Sequence, residues 1–190
     1  MKWNIPILLT WLRVWLIPVF TILFYLPSDW LDYHTVNWLG ALIFSIAAIT
    51  DWFDGYLARK WNQTSSFGAF LDPVADKLMV AVALILLVSL GRTYAFCAMI
   101  IIGREITISA LREWMAKVGA SGSVAVAFVG KLKTAAQMSA IPLLLIEAPV
   151  MGFDSLKLGT LLIYVAAVLT LWSMGYYMRC AWPELMKRSR

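Results

Sequence analysis

Apolar positions run along this chain in six long stretches, broken by short polar ones: about Ile5–Leu26, Trp38–Arg59, Phe67–Leu90, Ala95–Met115, Gly130–Val150 and Leu158–Met178. A helix needs about 20 mostly apolar residues to cross the hydrocarbon core of a bilayer, and each stretch meets that length. The pattern predicts an all-α polytopic membrane protein with six transmembrane helices. The part of the first stretch before Pro18 also reads as an amphipathic piece able to lie along the surface. The connections are mostly short, and no internal repeat, low-complexity tract or linker interrupts them, so residues 1–190 read as a single domain.

The polar positions support the same count. With six crossings and both termini on one side, that side collects eleven basic residues, from Lys2, Arg59 and Lys60 to Arg190, and the other side only Arg92 and Lys157. Arg13, Lys77 and Arg104 fall within the spans. Cytoplasmic loops carry the excess of Lys and Arg, so the split places the N- and C-termini in the cytoplasm. Trp30, Tyr33 and Trp38 flank the first outer loop, and Trp172, Tyr176, Tyr177 and Trp182 surround the end of the last span. Interfacial anchoring and ordinary packing both account for them.

Composition narrows the chemistry. The chain is 62% apolar and 14% charged, against about 45–50% and 25% in an average soluble domain. Cys97 and Cys180 lie far apart without metal-ligand spacing, which argues against a disulfide framework and a zinc site. His34 is the one histidine, so a histidine-based triad or metal centre is not expected. The net charge of +5 is spread between apolar segments and does not suggest nucleic acid as a partner. The first apolar stretch is long, contains Arg13 and lacks a clear small-residue cleavage site, so it does not read as a cleavable signal.

Four of the eleven carboxylates, Asp51, Asp54, Asp72 and Asp76, fall in or at the ends of apolar stretches. A charge near the bilayer centre costs about 2.5–3.5 kcal/mol or more, so such residues face a cavity, a partner or an ion. Asp51, Asp54, Gly55 and Ala58 occur at i, i+3, i+4 and i+7, and Gly68, Asp72 and Asp76 at steps of four. Each set shares one helix face. Trp61-Asn62-Gln63-Thr64-Ser65-Ser66 reads as a tight turn between antiparallel neighbours, which lets the two acidic faces meet near the cytoplasmic side. Pro73 lies near a helix start, where a missing backbone donor is tolerated. Gly55, Ala58, Gly68 and Ala75 let backbone or ligand approach closely. Four carboxylates in a low-dielectric site need compensation. Oxygen-only ligation suits Mg²⁺ or Mn²⁺, with calcium allowed by geometry, and four acids without a histidine fit a two-metal phosphoryl-transfer site. Interhelical salt bridges are the alternative, but basic residues in the same spans are few. Arg59, the nearest, can pair with one aspartate and not with four.

The stretch Asp51-Trp-Phe-Asp54-Gly55-Tyr-Leu-Ala58-Arg59, followed after eight residues by Gly68-Ala-Phe-Leu-Asp72-Pro-Val-Ala-Asp76, resembles the signature of the CDP-alcohol phosphotransferase family at all eight of its fixed positions. With each fixed residue at ordinary frequency, a chance match per start site is on the order of 10⁻⁹ to 10⁻¹¹. Asn4-Ile-Pro6, Thr10, Arg13, Gly103-Arg104-Glu105, Leu111-Arg112-Glu113-Trp114 and Gly130-Lys131-Leu-Lys133-Thr134 are similar to bacterial members whose acceptor is sn-glycerol 3-phosphate. The resemblance implies a homodimer in the bacterial cytoplasmic (inner) membrane, each chain with six helices around a cytoplasm-facing polar cavity. It implies CDP-diacylglycerol as donor, CMP as leaving group and phosphatidylglycerophosphate as product. It makes Asp51, Asp54, Asp72 and Asp76 the ligands of two Mg²⁺ or Mn²⁺ ions, with Asp76 also the general base. Gly55, Ala58, Arg59 and Gly68 then border the CDP-diacylglycerol.

A cationic set marks an acceptor subsite. Arg104 and Arg112, eight residues apart, lie on broadly the same side of the fourth helix, and Lys131, Lys133 and Thr134 open the fifth. A small dianionic acceptor needs cationic partners, and arginine binds phosphate in a planar, bidentate way. The plainer account makes Arg112, Lys131 and Lys133 cytoplasmic-side charges and pairs Arg104 with Glu105 or an aspartate. Arg13 reads as a snorkelling side chain, and Lys77 is left unassigned. Competing functions are a family member with another acceptor (serine, phosphatidylglycerol or inositol phosphate), a divalent-cation transporter and a structural scaffold. The transporter does not need the Gly-x-x-Ala-Arg pattern or a one-sided phosphate-binding set, and the scaffold leaves the desolvated acids without a purpose.

Overall fold

A computed structural model describes residues 5–61, 66–117, 127–149 and 152–188; the side chains of 5–7, 52, 54–61, 66–70, 72, 127–129, 183–185 and 187–188 lie outside that description. The described residues form six helices: α1 (Ile5–Leu23), α2 (Tyr33–Trp61), α3 (Ser66–Ser89), α4 (Ala95–Lys117), α5 (Ala127–Ile146) and α6 (Ser155–Arg188). The six apolar stretches thus correspond one for one to helices.

The bounds differ from the apolar stretches for local reasons. Helix α2 begins five residues earlier than its apolar run because the Asp32 carboxylate accepts the Thr35 backbone N–H at 3.1 Å and caps the helix start. The Thr35 hydroxyl bonds the same carboxylate, and these bonds hold its pKa below the usual carboxylate range. Asp154 caps α6 in the same way, accepting the Lys157 N–H at 3.2 Å. Helix α6 then continues to Arg188, a length of about 50 Å, well past the roughly 30 Å of a hydrocarbon core. Hydropathy alone ends this span where polar residues begin, although a helix can carry them out of the membrane.

The helices pack in a ring, α1–α2–α5–α6–α4–α3, closed by contact between α3 and α1, with α3 also touching α2 and α5. Each helix contributes to one core, with Phe20, Phe44, Leu84, Ile101, Ile141, Leu144 and Ile163 at its centre. Outward faces are as apolar as the core. Trp15, Leu42, Ile85, Met99, Ile106, Leu161, Val168 and Trp172 are all exposed. Such a surface is satisfied by lipid and not by water. Among the described residues, Tyr33–Asp51 and Ser155–Trp182 are long and apolar enough to cross a membrane, and Leu8–Leu23 is a shorter apolar helix. Close approach of α5 and α6 rests on Gly159, where a Cβ would meet Leu144 Cγ at 2.8 Å and the Leu144 backbone nitrogen at 3.2 Å.

Arg92 locks the end of the bundle opposite the signature aspartates. It is buried in the α3–α4 connection. Its guanidinium donates to the Leu145 carbonyl at 2.7 Å, to Tyr33 Oη at 2.8 Å and to Asn37 Oδ1 at 2.8 Å, and pairs with Glu147 at 2.7 Å. It supplies donors to carbonyls left open where α5 ends, and that end is fixed by Glu147 in the left-handed region at φ 52°.

Candidate active site

The site is built where the late part of α2 and the early part of α3 come against α1. Asp51 stands on α2 and Asp76 on α3, and the charges acting on Asp76 include those of Asp51 and Arg13. Arg13 projects from α1 and donates from Nη1 to Asp51 Oδ1 at 2.7 Å. It is 1% exposed, against 40% for Asp51. The snorkelling reading of Arg13 is therefore corrected. The side chain turns inward, where the part-exposed Asp51 carboxylate pairs with its buried guanidinium. Arg13 also lines a small cavity with Asp76, Phe44, Ala47, Met79 and Met138. Arg59, the nearest basic residue in the sequence, lies with its side chain outside the described residues; the partner found for Asp51 comes from a different helix, which sequence spacing does not reveal.

Asp54, Gly55, Ala58 and Arg59 fall within α2, and Gly68 and Asp72 within α3, but their side chains lie outside the described residues. Among the described residues, no three His, Cys, Asp or Glu side chains come together as a metal-binding group. The donor chemistry nonetheless fits a hard divalent cation. Asp51 and Asp76 offer carboxylate oxygens; Arg13 bonds the first and lines a cavity with the second.

A second polar group lies between α4, α5 and α6. Lys133, buried on α5, forms an ion pair and hydrogen bond with Glu105 of α4. Arg104, 7% exposed, donates to Glu105 Oε1 at 3.1 Å and to Ser173 Oγ at 3.3 Å. Arg112 donates to Tyr177 Oη at 2.6 Å. The structure thus brings Arg104, Arg112 and Lys133 into one linked group, with Glu105 at its centre. It does not bring Lys131 there. Lys131 is exposed, as it must be when Lys133 is buried, since residues two apart on a helix point about 200° apart. Pairing of Arg104 with Glu105, the plainer account, does hold, and it coexists with the convergence of the cations. Glu105 also lines an apolar cavity of about 220 Å³ between α3 and α4, together with Lys77, Leu78 and Ile106.

Neither the pairing of Arg13 with Asp51 nor the contacts of Tyr177 and Ser173 with the arginines of α4 is legible in the sequence. A charge inside a 22-residue apolar run was the available signal for Arg13. Tyr177 had none, because a tyrosine near a helix end reads equally well as an interfacial anchor.

The arrangement of an aspartate pair beside a cationic group on an all-helical membrane scaffold agrees with the family comparison. The CDP-alcohol phosphatidyltransferase family model matches residues 3–172, and the chain belongs to that family. Family members generally use divalent metal ions. Similar proteins named CDP-diacylglycerol–glycerol-3-phosphate 3-phosphatidyltransferase occur in Escherichia coli K12 (50% identical), Salmonella typhimurium LT2 (52%) and Shigella flexneri serotype 5b (51%). Each alignment spans 188 residues, covering 98% of this chain and 99% of the relative.

Proposed function

We propose that this protein transfers the phosphatidyl group of CDP-diacylglycerol to the primary hydroxyl of sn-glycerol 3-phosphate, giving phosphatidylglycerophosphate and CMP. The observation that carries this reading is the roughly half identity, over nearly the whole of both chains, to relatives named for that reaction. The aspartate pair and the separate cationic group supply what two anionic substrates need.

Asp51, Asp54, Asp72 and Asp76 would hold two Mg²⁺ or Mn²⁺ ions. Divalent ions held there would supply the positive charge that the donor pyrophosphate and the departing CMP need. Asp76 takes the proton from the acceptor hydroxyl as its oxygen attacks the phosphorus bearing diacylglycerol. The new P–O bond forms as the bond to CMP breaks, and CMP leaves with that bond's electron pair. Arg13 holds Asp51 in place and offsets its charge. Gly55, Ala58 and Gly68 leave room for the cytidine nucleotide, and Arg59 contacts its phosphate. Arg104, Arg112 and Lys133 bind the acceptor phosphate, while Lys131 raises the positive potential at the entrance. Holding the hydroxyl in line with the phosphorus supplies much of the rate, since aspartate is a weak base for an alcohol.

The chain is read as one domain with six crossings and cytoplasmic termini in the bacterial inner membrane, in a homodimer, with a polar cavity open to the cytoplasm. The charge asymmetry and the family support this reading. The test measures CMP release from CDP-diacylglycerol by the detergent-purified protein with glycerol 3-phosphate, serine, inositol phosphate, phosphatidylglycerol or no acceptor. Release with glycerol 3-phosphate alone, lost on adding EDTA, is expected. Release with another acceptor instead overturns the acceptor assignment and keeps the family chemistry.

A further inference from the structure

Tyr177 on α6 joins the two arginines of α4, a role that the aspartate chemistry does not call for. It is 4% exposed, whereas its neighbour Tyr176 is 47% exposed. Its hydroxyl accepts a hydrogen bond from Arg112 Nη2 at 2.6 Å. The Arg112 guanidinium carbon lies 5.0 Å from the ring centroid and that of Arg104 lies 5.7 Å from it. Both distances are within cation–π range. Two guanidinium groups near one another repel. A ring whose face is negative attracts both, and its hydroxyl fixes the orientation of the outer one.

The two cations differ in depth. Arg112 is exposed and Arg104 is buried, so the ring holds one charge at the mouth of the group and one inside it. Arg104 uses its terminal nitrogens on Glu105 and Ser173, and its buried Nε has no hydrogen-bond partner among the described residues. A ligand oxygen would satisfy that donor. Arg104, Arg112 and Lys133 together with Glu105 carry a net charge of two positive, the complement of a phosphomonoester dianion.

We propose that Tyr177 is the positioning residue of the acceptor-phosphate subsite, presenting Arg112 and Arg104 as a preformed pair to the phosphate of the acceptor. This rests on the reading of Arg104 and Arg112 given above. Preorganisation of this kind lowers the ordering cost of binding without adding charge. Tyr177 therefore acts on acceptor binding and leaves the donor and the transfer step alone.

The experiment is steady-state CMP release by the purified full-length protein, with glycerol 3-phosphate and CDP-diacylglycerol varied in turn, for Tyr177→Phe, Tyr177→Leu, Arg104→Ala, Arg112→Ala and the Tyr177→Leu/Arg112→Ala double variant. Tyr177→Phe, which keeps the ring, should raise the KM for glycerol 3-phosphate about 3- to 10-fold, and Tyr177→Leu about 10- to 30-fold. The KM for CDP-diacylglycerol and kcat should stay within about twofold. The double variant should be no more than about threefold worse than Arg112→Ala, because Tyr177 works largely through that arginine. Unchanged acceptor KM in both arginine variants overturns the acceptor reading and the role of Tyr177 with it. A raised KM in the arginine variants with an unchanged KM in the tyrosine variants overturns the role of Tyr177 alone. Equal loss for both substrates, with a lowered melting midpoint, makes Tyr177 a packing residue and also overturns the proposal. If Tyr177→Leu does not fold, Tyr177→Phe decides the question.

Discussion

Asp76 and Arg13 illustrate two kinds of residue. Spacing alone makes Asp76 a candidate, since an aspartate one turn after Asp72 in an apolar helix has few uses other than binding or catalysis. Asp76→Asn and Asp72→Asn, each nearly isosteric, should lower CMP release by at least about a thousandfold, in line with loss of a metal ligand and, at Asp76, of the general base. Intact elution and melting of the purified variants would show that the loss is chemical. Normal turnover by either folded variant would remove that aspartate from the mechanism. Arg13 was legible as a charge and illegible as a partner, because its contact with Asp51 spans 38 residues of sequence and depends on how α1 crosses α2.

At the scale of elements, the ends of the helices and the close contacts between them hold the site in register. Arg92 ties the first turns of α2 to the end of α5 through neutral and charged partners. Arg92→Ala should destabilise the protein by about 3–5 kcal/mol, since it leaves Glu147 with its Tyr33 hydrogen bond but no cation and removes the donors to Asn37 Oδ1 and the Leu145 carbonyl. It lies at the other end of α2 from Asp51, about 20 Å along the helix from Asn37, so the KM for both substrates should be unchanged. Thermal unfolding in detergent and steady-state kinetics check the two halves of this expectation. Gly159→Leu places a side chain where Leu144 already sits, and part of the clash is with backbone. A fall in melting temperature of several degrees is expected from overpacking of this kind, which typically costs about 1–3 kcal/mol. Gly103→Ala, with open space around its Cβ, is the control.

For the whole molecule, the ring of helices sets two polar groups into one apolar body. The aspartates come from α2 and α3, and the cations from α4 and α5, supported by α6. Glu105 belongs to the second group, and its charge also acts on Asp76. The charge asymmetry predicts the orientation of the ring in the membrane. In a cysteine-free background, Lys117→Cys should react with a membrane-impermeant maleimide only in inverted vesicles, and Phe153→Cys only in intact spheroplasts. Both positions are exposed. Labelling of both from one side would overturn the six-crossing topology.

The sequence by itself determined the helical class, the number of helices and the signature aspartates. Those follow from hydropathy, helical periodicity and the cost of a charge in lipid, which act over one or two turns of chain. It also placed Arg104 and Arg112 on a common side of α4. Only the tertiary structure decided that Lys133 faces Glu105 while Lys131 does not, that Arg13 turns inward to Asp51, and that Tyr177 stands against both arginines. These are contacts between helices distant in sequence. Their partners are chosen by the order of helices around the ring and the rotation of each about its own axis, and neither is written in the period of a single helix.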